Sequence, residues 1–416
     1  MRDTELYGHL LGLGSPWSVS RVELNQQEQR VDVWVEHPAG TLWPCPECGA
    51  ALSTYDHGPE RQWRHLDSCQ FMTYLRARPP RVNCPKDGVR QVKLPWAEPK
   101  ARFTAMFERF AIDVLREADV LGATRILRIS WDEAHHIMTR AVARGLAAKE
   151  ELGARRLGVD EKAIAKGHKY FTVVTNLDKG TVEYVGEDRE TASLDAFFVK
   201  LTGEQRGSIE AVAMDMWEPY QTSVHAHVPD AEKKIVFDRF HMMQHMGRAV
   251  DTVRKWEHRR LRAEGDDTLV GSKYLWLYSA ENLPEKHQAR FEELRSADLK
   301  TGRAWAIKES LRQLWSSTSR AEGESFWKRW YFWATHSRLE PVIKAAKTIF
   351  RHIDNVLTYF EHRITNATSE GLNSKIQGIK KQAYGFRNKE NFKTAIYFHC
   401  GGLELYPAGV GASATH

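Results

Sequence analysis

Residues 155–164 read RRLGVDEKAI, and this stretch opens the part of the chain that decides the fold. It is the first of five short apolar runs with strand-like composition, the others being HKYFTVVTNL (168–177), GTVEYVGED (180–188), IEAVAMDM (209–216) and KKIVFD (233–238). A helix-like segment, TASLDAFFVKLTG, separates the third run from the fourth, and WEPYQTSVHAHV separates the fourth from the fifth. This order predicts an α/β layer built on a mixed sheet.

Two of these strands carry an acidic residue, and a third acid lies far downstream. Asp160 projects from the first strand, and Asp215 follows a run long enough to be a central strand buried on both faces. If the first and fourth strands are neighbours, the two carboxylates lie side by side, which favours a bound cation. Glu370 lies in the polar, helix-like stretch ITNATSEGLNSKIQ. Three such carboxylates can hold two divalent cations that clamp the attacking and leaving oxygens of a phosphoryl transfer.

Four further residues are assigned supporting roles around these acids. Asn366 and Asn373 are four and three residues from Glu370, hence on the same helical face, where they can orient its carboxylate or a phosphate. Asp238 follows the fifth strand, and with His241 it is the main alternative metal ligand, or else it orients the start of a helix. A single acid at a strand end is more often a solvated cap or an ion-pair partner, so the prediction depends on the three acids together.

The first 95 residues are β-rich and contain two similar cysteine turns. Cys45-Pro-Glu-Cys48-Gly has the form of a zinc knuckle, and Cys84-Pro-Lys-Asp87-Gly repeats that form with one sulfur. We therefore predict zinc bound by the three thiolates, with Asp87 as the fourth ligand. Three other residues of this region are alternatives to Asp87: His57, His65 and Cys69. The remaining alternative is a β-unit held by packing, with vestigial thiols.

Three short helical segments follow from Arg102, and the last two are separated by a tight turn, which is typical of a helix-turn-helix. Ser130 is placed as the N-cap of the last helix, SWDEAHHIMTRAVARG. If this helix enters a major groove, its candidate DNA contacts are Trp131, His135 and Arg140, while Arg125 and Arg128 suit phosphate contacts. An amphipathic spacer between two domains is the alternative.

The chain from about residue 240 to 360 is helical in pattern and rich in Trp, Arg and Lys. In the segment after Glu370 we expect basic side chains to bind the DNA backbone, namely Lys375, Lys380, Lys381 and Arg387. The Gly- and Ala-rich end of the chain predicts a flexible tail.

Composition limits the class of protein without identifying it. A chain of 416 residues predicts two to four domains. The net charge of +6 is compatible with a polyanionic partner but does not require one. Five cysteines, three of them in finger-like contexts, indicate a reducing, cytoplasmic compartment instead of a disulfide framework. No run approaches the ~18 apolar residues of a membrane span, and no signal-peptide profile is present.

Four segments, in this order, resemble the DDE transposases of bacterial insertion sequences, most closely the ISL-three family: LGVDEKA, AVAMDMWEPY, FDRFHMMQHM and TNATSEGLNSKIQGIKKQAYGFRNKENF. The resemblance extends along nearly the whole chain. It implies a ribonuclease-H-like catalytic fold interrupted by an all-helical insertion, and an acid triad matching Asp160, Asp215 and Glu370. Family members generally carry Cys or His where Asp87 stands, so the fourth zinc ligand stays open.

The combined expectation is a multidomain α+β protein. Its predicted domains are a β-rich zinc-binding domain at 1–98, a helix-turn-helix at 99–150, a catalytic domain at 151–250 and 351–400, an all-helical insertion at 251–350, and a flexible tail at 401–416.

The resemblance implies a nucleoid-associated bacterial transposase that cuts and joins DNA with two Mg²⁺ or Mn²⁺ ions and carries Zn²⁺ in its finger. Its expected partners are transposon terminal inverted repeats, target DNA and further copies of itself. A DNA-binding regulator with a silent catalytic domain is the main alternative. A structure-specific nuclease is the other, although two N-terminal DNA-binding modules argue against it.

Overall fold

The computed structural model of the protein describes residues 2–149, 154–165 and 169–409. The chain divides into two compact units. Unit 1 comprises Met1–Glu150 and Ile379–His416, and unit 2 comprises Glu151–Gly378. Among the described residues, no helix is both long enough and apolar enough to cross a membrane.

Unit 1 begins with a short helix and a β-rich fold, as predicted. Helix α1 is Asp3–Leu10, and the strands are β1 Ser18–Asn25, β2 Arg30–Glu36, β3 Leu42–Pro44, β4 Ala51–Ser53, β5 Asp56–His57, β6 Arg61–Arg64, β7 Met72–Ala77, β8 Pro80–Cys84 and β9 Gly88–Gln91. They form a sheet in the order β1-β2-β7-β6, a second sheet in the order β5-β8-β9, and the pair β3-β4. Alternate side chains of β2 are buried with Trp63 and Leu75, so the first sheet has one core face.

Three helices follow in unit 1: α2 Ala105–Glu117, α3 Val120–Leu127 and α4 Trp131–Ala148. Each begins at a capping side chain. Thr104 accepts a hydrogen bond from the backbone of Phe107, and Asp119 accepts one from Gly122. The predicted N-cap Ser130 is confirmed, and it forms a capping box with Glu133. The tight turn between α3 and α4 contains Arg128 in the left-handed conformation.

Unit 2 contains the mixed sheet expected from the five apolar runs. Its elements are β10 Arg156–Ala165, β11 Lys169–Asn176, β12 Thr181–Glu187, α5 Thr191–Phe198, α6 Gly203–Gly207, β13 Ala211–Met214, α7 Glu218–His227, α8 Ala231–Lys234 and β14 Ile235–Phe237. The strand order is β12-β11-β10-β13-β14. The first three strands are antiparallel hairpin neighbours, whereas β13 is parallel to β10 and β14 is parallel to β13. The first and fourth strands along the chain are therefore adjacent.

The rest of unit 2 is helical. Its α-helices are α9 Arg239–Ala263, α10 Lys273–Leu277, α11 Gln288–Ser296, α12 Lys300–Leu311, α13 Arg320–Thr335, α14 Glu340–Phe350, α15 Ile353–Leu357, α16 Tyr359–His362 and α17 Ala367–Gln382, the last of which contains the unit boundary. Short 3₁₀ turns lie at Ala280–Asn282, Glu285–His287 and Arg312–Ser316. These helices share one hydrophobic core with the sheet.

The helical segment begins near residue 240, where its pattern predicted. Its first helix, α9, starts directly after Asp238 and continues without interruption through the predicted domain boundary at residue 251. Its buried stripe, which includes Met242, Met246, Val250 and Val253, runs across that position. The stripe keeps one helical period throughout, so this helix has no break at that boundary.

The C-terminal part of the chain belongs to unit 1. Helix α18, Lys389–Cys400, packs against α4. Residues 379–400 are thus grouped with the N-terminal unit and not with the last part of the predicted catalytic domain. The prediction of a flexible tail is wrong for 401–409, because Leu403 and Leu405 are buried and a Cβ on Gly145 would lie 2.7 Å from Leu403 Cβ. Residues 410–416, which the same prediction included, lie outside the described part.

Candidate functional site

Three acidic residues lie within or directly after three neighbouring parallel strands of unit 2. Gly158 of β10 pairs with Ala213 of β13. Asp160, within β10, and Asp215, directly after β13, each lie two residues further along the chain than this pair. Met214, the last residue of β13, pairs with Phe237, the last residue of β14, so Asp215 and Asp238 follow their strands at the same level of the sheet. The carboxyl ends of parallel strands meet at one edge of a sheet, which is where α/β folds form their sites.

Asp160 and Asp215 are both held by hydrogen bonds in a partly buried setting. Asn373 Nδ2 donates to Asp160 Oδ2 at 2.7 Å, and the Glu161 backbone N–H donates to Oδ1 at 2.7 Å. Burial raises the pKa of the Asp160 carboxyl to about 6, and the charge of Asp215 adds to this rise. Burial also raises the pKa of Asp215, which accepts a hydrogen bond from the Trp217 backbone at 3.1 Å. Two destabilised anions side by side form a site that favours a cation.

The N-terminal turn of α17 carries Glu370 and packs tightly on the sheet. Ser369 Oγ and Thr175 Oγ1 are 2.6 Å apart, and the Thr175 hydroxyl also donates to the Gly158 carbonyl at 3.2 Å. A Cβ on Gly158 would collide with Ser369 Oγ and would lie 2.5 Å from Thr175 Oγ1 and 2.8 Å from Asn366 Oδ1. The absence of a side chain at Gly158 therefore allows the helix that bears Glu370 to lie against the strand that bears Asp160.

His241 is an electrostatic neighbour common to the three predicted acids. Burial raises the pKa of Asp160, Asp215 and Glu370, and in each case the His241 ring opposes that rise. After burial, the largest contribution to the raised pKa of Glu370 comes from Asp238. Asp238 is thus within electrostatic reach of Glu370, and His241 is within electrostatic reach of all three predicted acids.

Asp238 and Glu370 line one cavity of unit 2, with a volume of about 280 Å³. Its other lining residues are Arg239, Phe240, Met243, Arg312, Trp315, Thr365 and Ala367. Glu370 is exposed there, whereas Asp238 is buried and caps α9 by accepting a hydrogen bond from the Phe240 backbone at 3.2 Å. The cavity thus has two carboxylates and two arginines on its walls.

The two asparagines have different positions from those expected beside Glu370. Asn373 holds Asp160, and Asn366 precedes α17, where its carbonyl accepts the Glu370 backbone N–H at 3.0 Å. Sequence analysis did not select Lys162, whose Nζ donates to the Asn373 carbonyl at 2.8 Å. Strand alternation puts Lys162 on the same face as Asp160, and this spacing could have identified it. In the same way, a single glycine in an apolar strand, Gly158, could have indicated that another element packs closely against the strand at that position.

The cysteine turns of unit 1 come together as predicted. One ligand atom from each of Cys45, Cys48, Cys84 and Asp87 lies within 4.8 Å of all the others. The sulfurs of Cys48 and Cys84 are 3.6 Å apart, and Cys84 Sγ donates to Asp87 Oδ2 at 3.1 Å. Sulfurs bound ~2.3 Å from one tetrahedral zinc ion would be separated by about 3.8 Å, so this donor set fits zinc.

The alternative fourth ligands lie elsewhere in unit 1. The Nε2 atoms of His57 and His37 are 3.0 Å apart, and His65 Nδ1 lies 2.9 Å from Thr104 Oγ1. Burial lowers the pKa of His65 to about 4. Cys69 is exposed and is not part of the cluster. Among the described residues, Asp87 is thus the side chain that completes the group.

The helix-turn-helix residues divide into exposed and internally paired side chains. Arg125 is exposed, and Trp131 is 46% exposed with its ring stacked on His135. Arg128 instead forms an ion pair with Asp67 and donates to the Gln70 carbonyl. Arg140 forms ion pairs with Glu98 at 2.7 Å and with the buried Glu108 at 3.3 Å. Arg128 and Arg140 therefore stabilise unit 1, a role that the sequence analysis did not assign to them.

The basic residues after Glu370 lie in the second half of α17 and in the loop that follows it. Lys375, Lys381 and Arg387 are exposed, and Lys380 is partly buried. The loop between α17 and α18 also carries Tyr384, whose side chain is fully exposed. These positions leave the cationic groups at the surface, as a phosphate contact requires.

Three family models match consecutive parts of the chain. A model of the zinc-finger of transposase IS204/IS1001/IS1096/IS1165 matches residues 41–87, which include the cysteine cluster. A model of the helix-turn-helix domain of transposase family ISL3 matches residues 92–142, and the ISL3 transposase model matches residues 157–396, more than half of the chain. The chain belongs to the ISL3 family of transposases. This confirms the family predicted from the four motifs and identifies the protein with a class of enzymes that act on DNA.

Curated relatives match over nearly the full length of the chain. It is 28% identical over 419 residues to the transposase for insertion sequence element IS1557 of Mycobacterium tuberculosis, with 94% of each chain covered. The transposase for insertion sequence element IS1001 of Bordetella parapertussis is 28% identical over 389 residues, which cover 92% of this chain and 95% of that one. The similarity therefore extends over most of the length of each chain and is not confined to one of the three matched parts.

Proposed function

We propose that this chain is a DNA transposase that binds the ends of its element and cuts and joins DNA through Asp160, Asp215 and Glu370. The observation that carries the proposal is the parallel register of β10 and β13. It brings Asp160 and Asp215 to the same edge of the sheet, while the close packing at Gly158 sets the first turn of α17 against β10. Metal-dependent phosphoryl transfer needs carboxylates gathered in this way.

The fold that we propose for unit 2 is ribonuclease-H-like with an inserted helical segment. Three antiparallel strands form one side of the sheet, and two parallel strands extend it in the order β12-β11-β10-β13-β14. The helices from Arg239 to His362 then separate β14 from α17, which carries the third acid. In this arrangement the helical segment is an insertion between the second and third members of the triad.

The acids fit divalent cations that prefer oxygen ligands, namely Mg²⁺ or Mn²⁺. Burial raises the pKa of all three carboxyls, so the site without a cation is electrostatically unfavourable. Two bound ions would stabilise the attacking and leaving oxygens of an in-line displacement, first by water and then by the freed 3′-hydroxyl.

The surrounding residues position the acids. Asn373 fixes one oxygen of Asp160, and the Glu161 backbone fixes the other. Lys162 ties the carbonyl of Asn373 to the same strand, so β10 and α17 hold Asp160 from two sides. Asp160 is thereby kept in one orientation before DNA arrives, which reduces the reorganisation needed for the reaction.

We assign DNA binding to unit 1 and to the basic end of α17. Arg125 and Trp131 are exposed on the helix-turn-helix and available to DNA, and the partly buried His135 stacks on Trp131. The zinc cluster stabilises the β-rich part that precedes them in the sequence. Lys375, Lys381 and Arg387 provide further phosphate contacts. The proposed partners are the terminal inverted repeats and the target DNA. A homodimer follows from the need to process two ends.

The test is cleavage of a labelled duplex that carries the terminal repeat flanking the coding sequence. Wild type should nick this duplex only with Mg²⁺ or Mn²⁺, and Asp160→Asn and Glu370→Gln should still bind it without cutting. The control is Asp230→Asn, which removes an exposed charge in the same unit and should cut normally. Binding without cleavage by wild type would instead support the regulator, and cleavage by Asp160→Asn would refute the assigned site.

A further inference from the structure

Asp238 has a buried carboxylate oxygen with no bonding partner. The side chain is 5% exposed, and its Oδ1 is engaged by the Phe240 backbone at the start of α9. Among the described residues, no hydrogen-bond donor satisfies Oδ2. A buried charged oxygen without a hydrogen-bond partner is destabilising, so this atom favours a ligand that the protein does not itself provide.

Two residues near Asp238 also carry a polar atom without a partner among the described residues. Asn366 is 1% exposed, lines a small cavity with Asp238, and has an unpartnered Oδ1. His241 lies one turn beyond Asp238 on α9, and its buried Nδ1 also lacks a partner within the described part of the chain. All three are atoms that bind cations: a carboxylate oxygen, an amide oxygen and an imidazole nitrogen.

Glu370 completes the arrangement from the opposite element. It lines the cavity of about 280 Å³ together with Asp238, and the two carboxyls are close enough for Asp238 to raise the pKa of Glu370. Within the described residues, no lysine or arginine donates a hydrogen bond to Asp238 Oδ2. Arg239 and Arg312 line the same cavity, but they leave Oδ2 unpaired.

We propose that Asp238 is a fourth carboxylate of the catalytic centre and that it holds one divalent cation together with Glu370. This inference rests on the proposed function, because it assigns a further ligand to the same site. Asp238 has two tasks in this account: Oδ1 caps α9, and Oδ2 binds the cation. Asp238 directly follows β14 and is level with Asp215, which directly follows β13, so it lies at the same edge of the sheet.

The capping task allows the two roles to be separated by substitution. Asn and Ser cap helices about as well as Asp, so Asp238→Asn and Asp238→Ser should both keep α9 intact. Neither retains the carboxylate. If capping is the whole role of Asp238, both variants will bind cations as wild type does. Their far-ultraviolet circular dichroism and urea midpoints establish that they are folded.

The experiment is titration of the full-length, zinc-loaded protein with Mn²⁺, without DNA, following free Mn²⁺ by electron paramagnetic resonance. Asp160→Asn tests whether Mn²⁺ binds at the proposed catalytic centre. Asp230→Asn controls for the loss of one negative charge elsewhere in unit 2. We expect Asp238→Asn and Asp238→Ser to weaken one Mn²⁺ site at least tenfold. Glu370→Gln should weaken the same site, and adding it to Asp238→Asn should cause little further loss.

Three results would overturn the inference, and they differ in their consequence for the function. Unchanged Mn²⁺ binding in both Asp238 variants, with binding lost in Asp160→Asn, would leave the proposed transposase site intact and reduce Asp238 to a helix cap. Unchanged binding in Asp160→Asn as well would reject the catalytic centre itself. Loss of separate sites in Asp238→Asn and Glu370→Gln would show that they do not share a cation.

Discussion

Replacing Gly158 by alanine tests how closely α17 must approach the sheet. The added methyl group would meet the hydroxyls of Ser369 and Thr175 and the amide oxygen of Asn366, all of them at less than 3.0 Å. Ser369 and Thr175 are short, buried side chains that bond each other at 2.6 Å, so they cannot swing away as a long flexible side chain does. The methyl group must displace α17 or break this bond.

The expected cost follows from these two effects. Overpacking a well-filled core costs ~1–3 kcal/mol, and a buried hydroxyl left without its partner costs a further ~1–3 kcal/mol. We expect Gly158→Ala to destabilise unit 2 by about 3 kcal/mol, which lowers the urea midpoint by roughly 1 M for a slope near 3 kcal/mol per M. Metal-dependent nicking should fall further than this stability loss explains, because Glu370 moves with the helix.

Urea unfolding followed by tryptophan fluorescence measures the effect, and two variants calibrate it. Gly378 lies in α17, and a Cβ added there would have no atom within 4 Å. Gly378→Ala should therefore stabilise the protein by up to ~1 kcal/mol, because alanine has the higher helix propensity. Adding Ser369→Ala to Gly158→Ala removes the closest oxygen and should restore part of the loss. A Gly158→Ala midpoint within 0.2 M of wild type, a limit of roughly 0.6 kcal/mol, would refute the close-packing argument.

Three other predictions concern single side chains. Asp160 has a pKa of about 6 in place of 3.8, so stability of the metal-free protein should fall as pH rises from about 4 to 6. Asp160→Asn should then be more stable than wild type by up to roughly 3 kcal/mol in urea at pH 8, but not at pH 3.5; equal midpoints at pH 8 would contradict this. Asp87→Ala should weaken zinc binding roughly 100-fold in a chelator competition, because the ~10–16 kcal/mol of a structural site is shared by four ligands; unchanged affinity would exclude Asp87 as a ligand. Arg125→Ala should reduce the salt dependence of DNA binding by about one ion, whereas Arg140→Ala should lower stability by roughly 1–3 kcal/mol and leave that dependence unchanged. The reverse pattern in salt titrations would show that Arg140 is the DNA contact.

The sequence predicted the elements of unit 2 well, because strand order and helix period follow directly from where apolar residues recur. The adjacency of Asp160 and Asp215 needed only one further condition, that the first and fourth strands pair. The distinction between Arg125 and Arg140 was not accessible in this way. It depends on Glu98 and Glu108, which reach Arg140 through tertiary packing and not through any local pattern.

Tertiary contacts, which no local sequence pattern predicts, also explain the other differences between the predictions and the structure. Asn373 was assigned to Glu370 by helical spacing, yet it bonds Asp160 across 213 positions of sequence. The tail was expected to be flexible from its Gly and Ala content, but Leu403 and Leu405 supply enough apolar surface to pack. Composition averages over such residues, whereas burial depends on the few that meet a complementary surface.

The packing of α18 and residues 401–409 within unit 1 has a consequence for synthesis. A ribosome makes the helix-turn-helix before unit 2 and makes the segment that packs on α4 after unit 2. The fold of unit 1 is therefore completed only after unit 2 has been made. A fragment that stops before α18 lacks the helix against which α4 packs. The order of the chain thus couples the folding of the helix-turn-helix to the synthesis of a helix that lies more than two hundred residues further along.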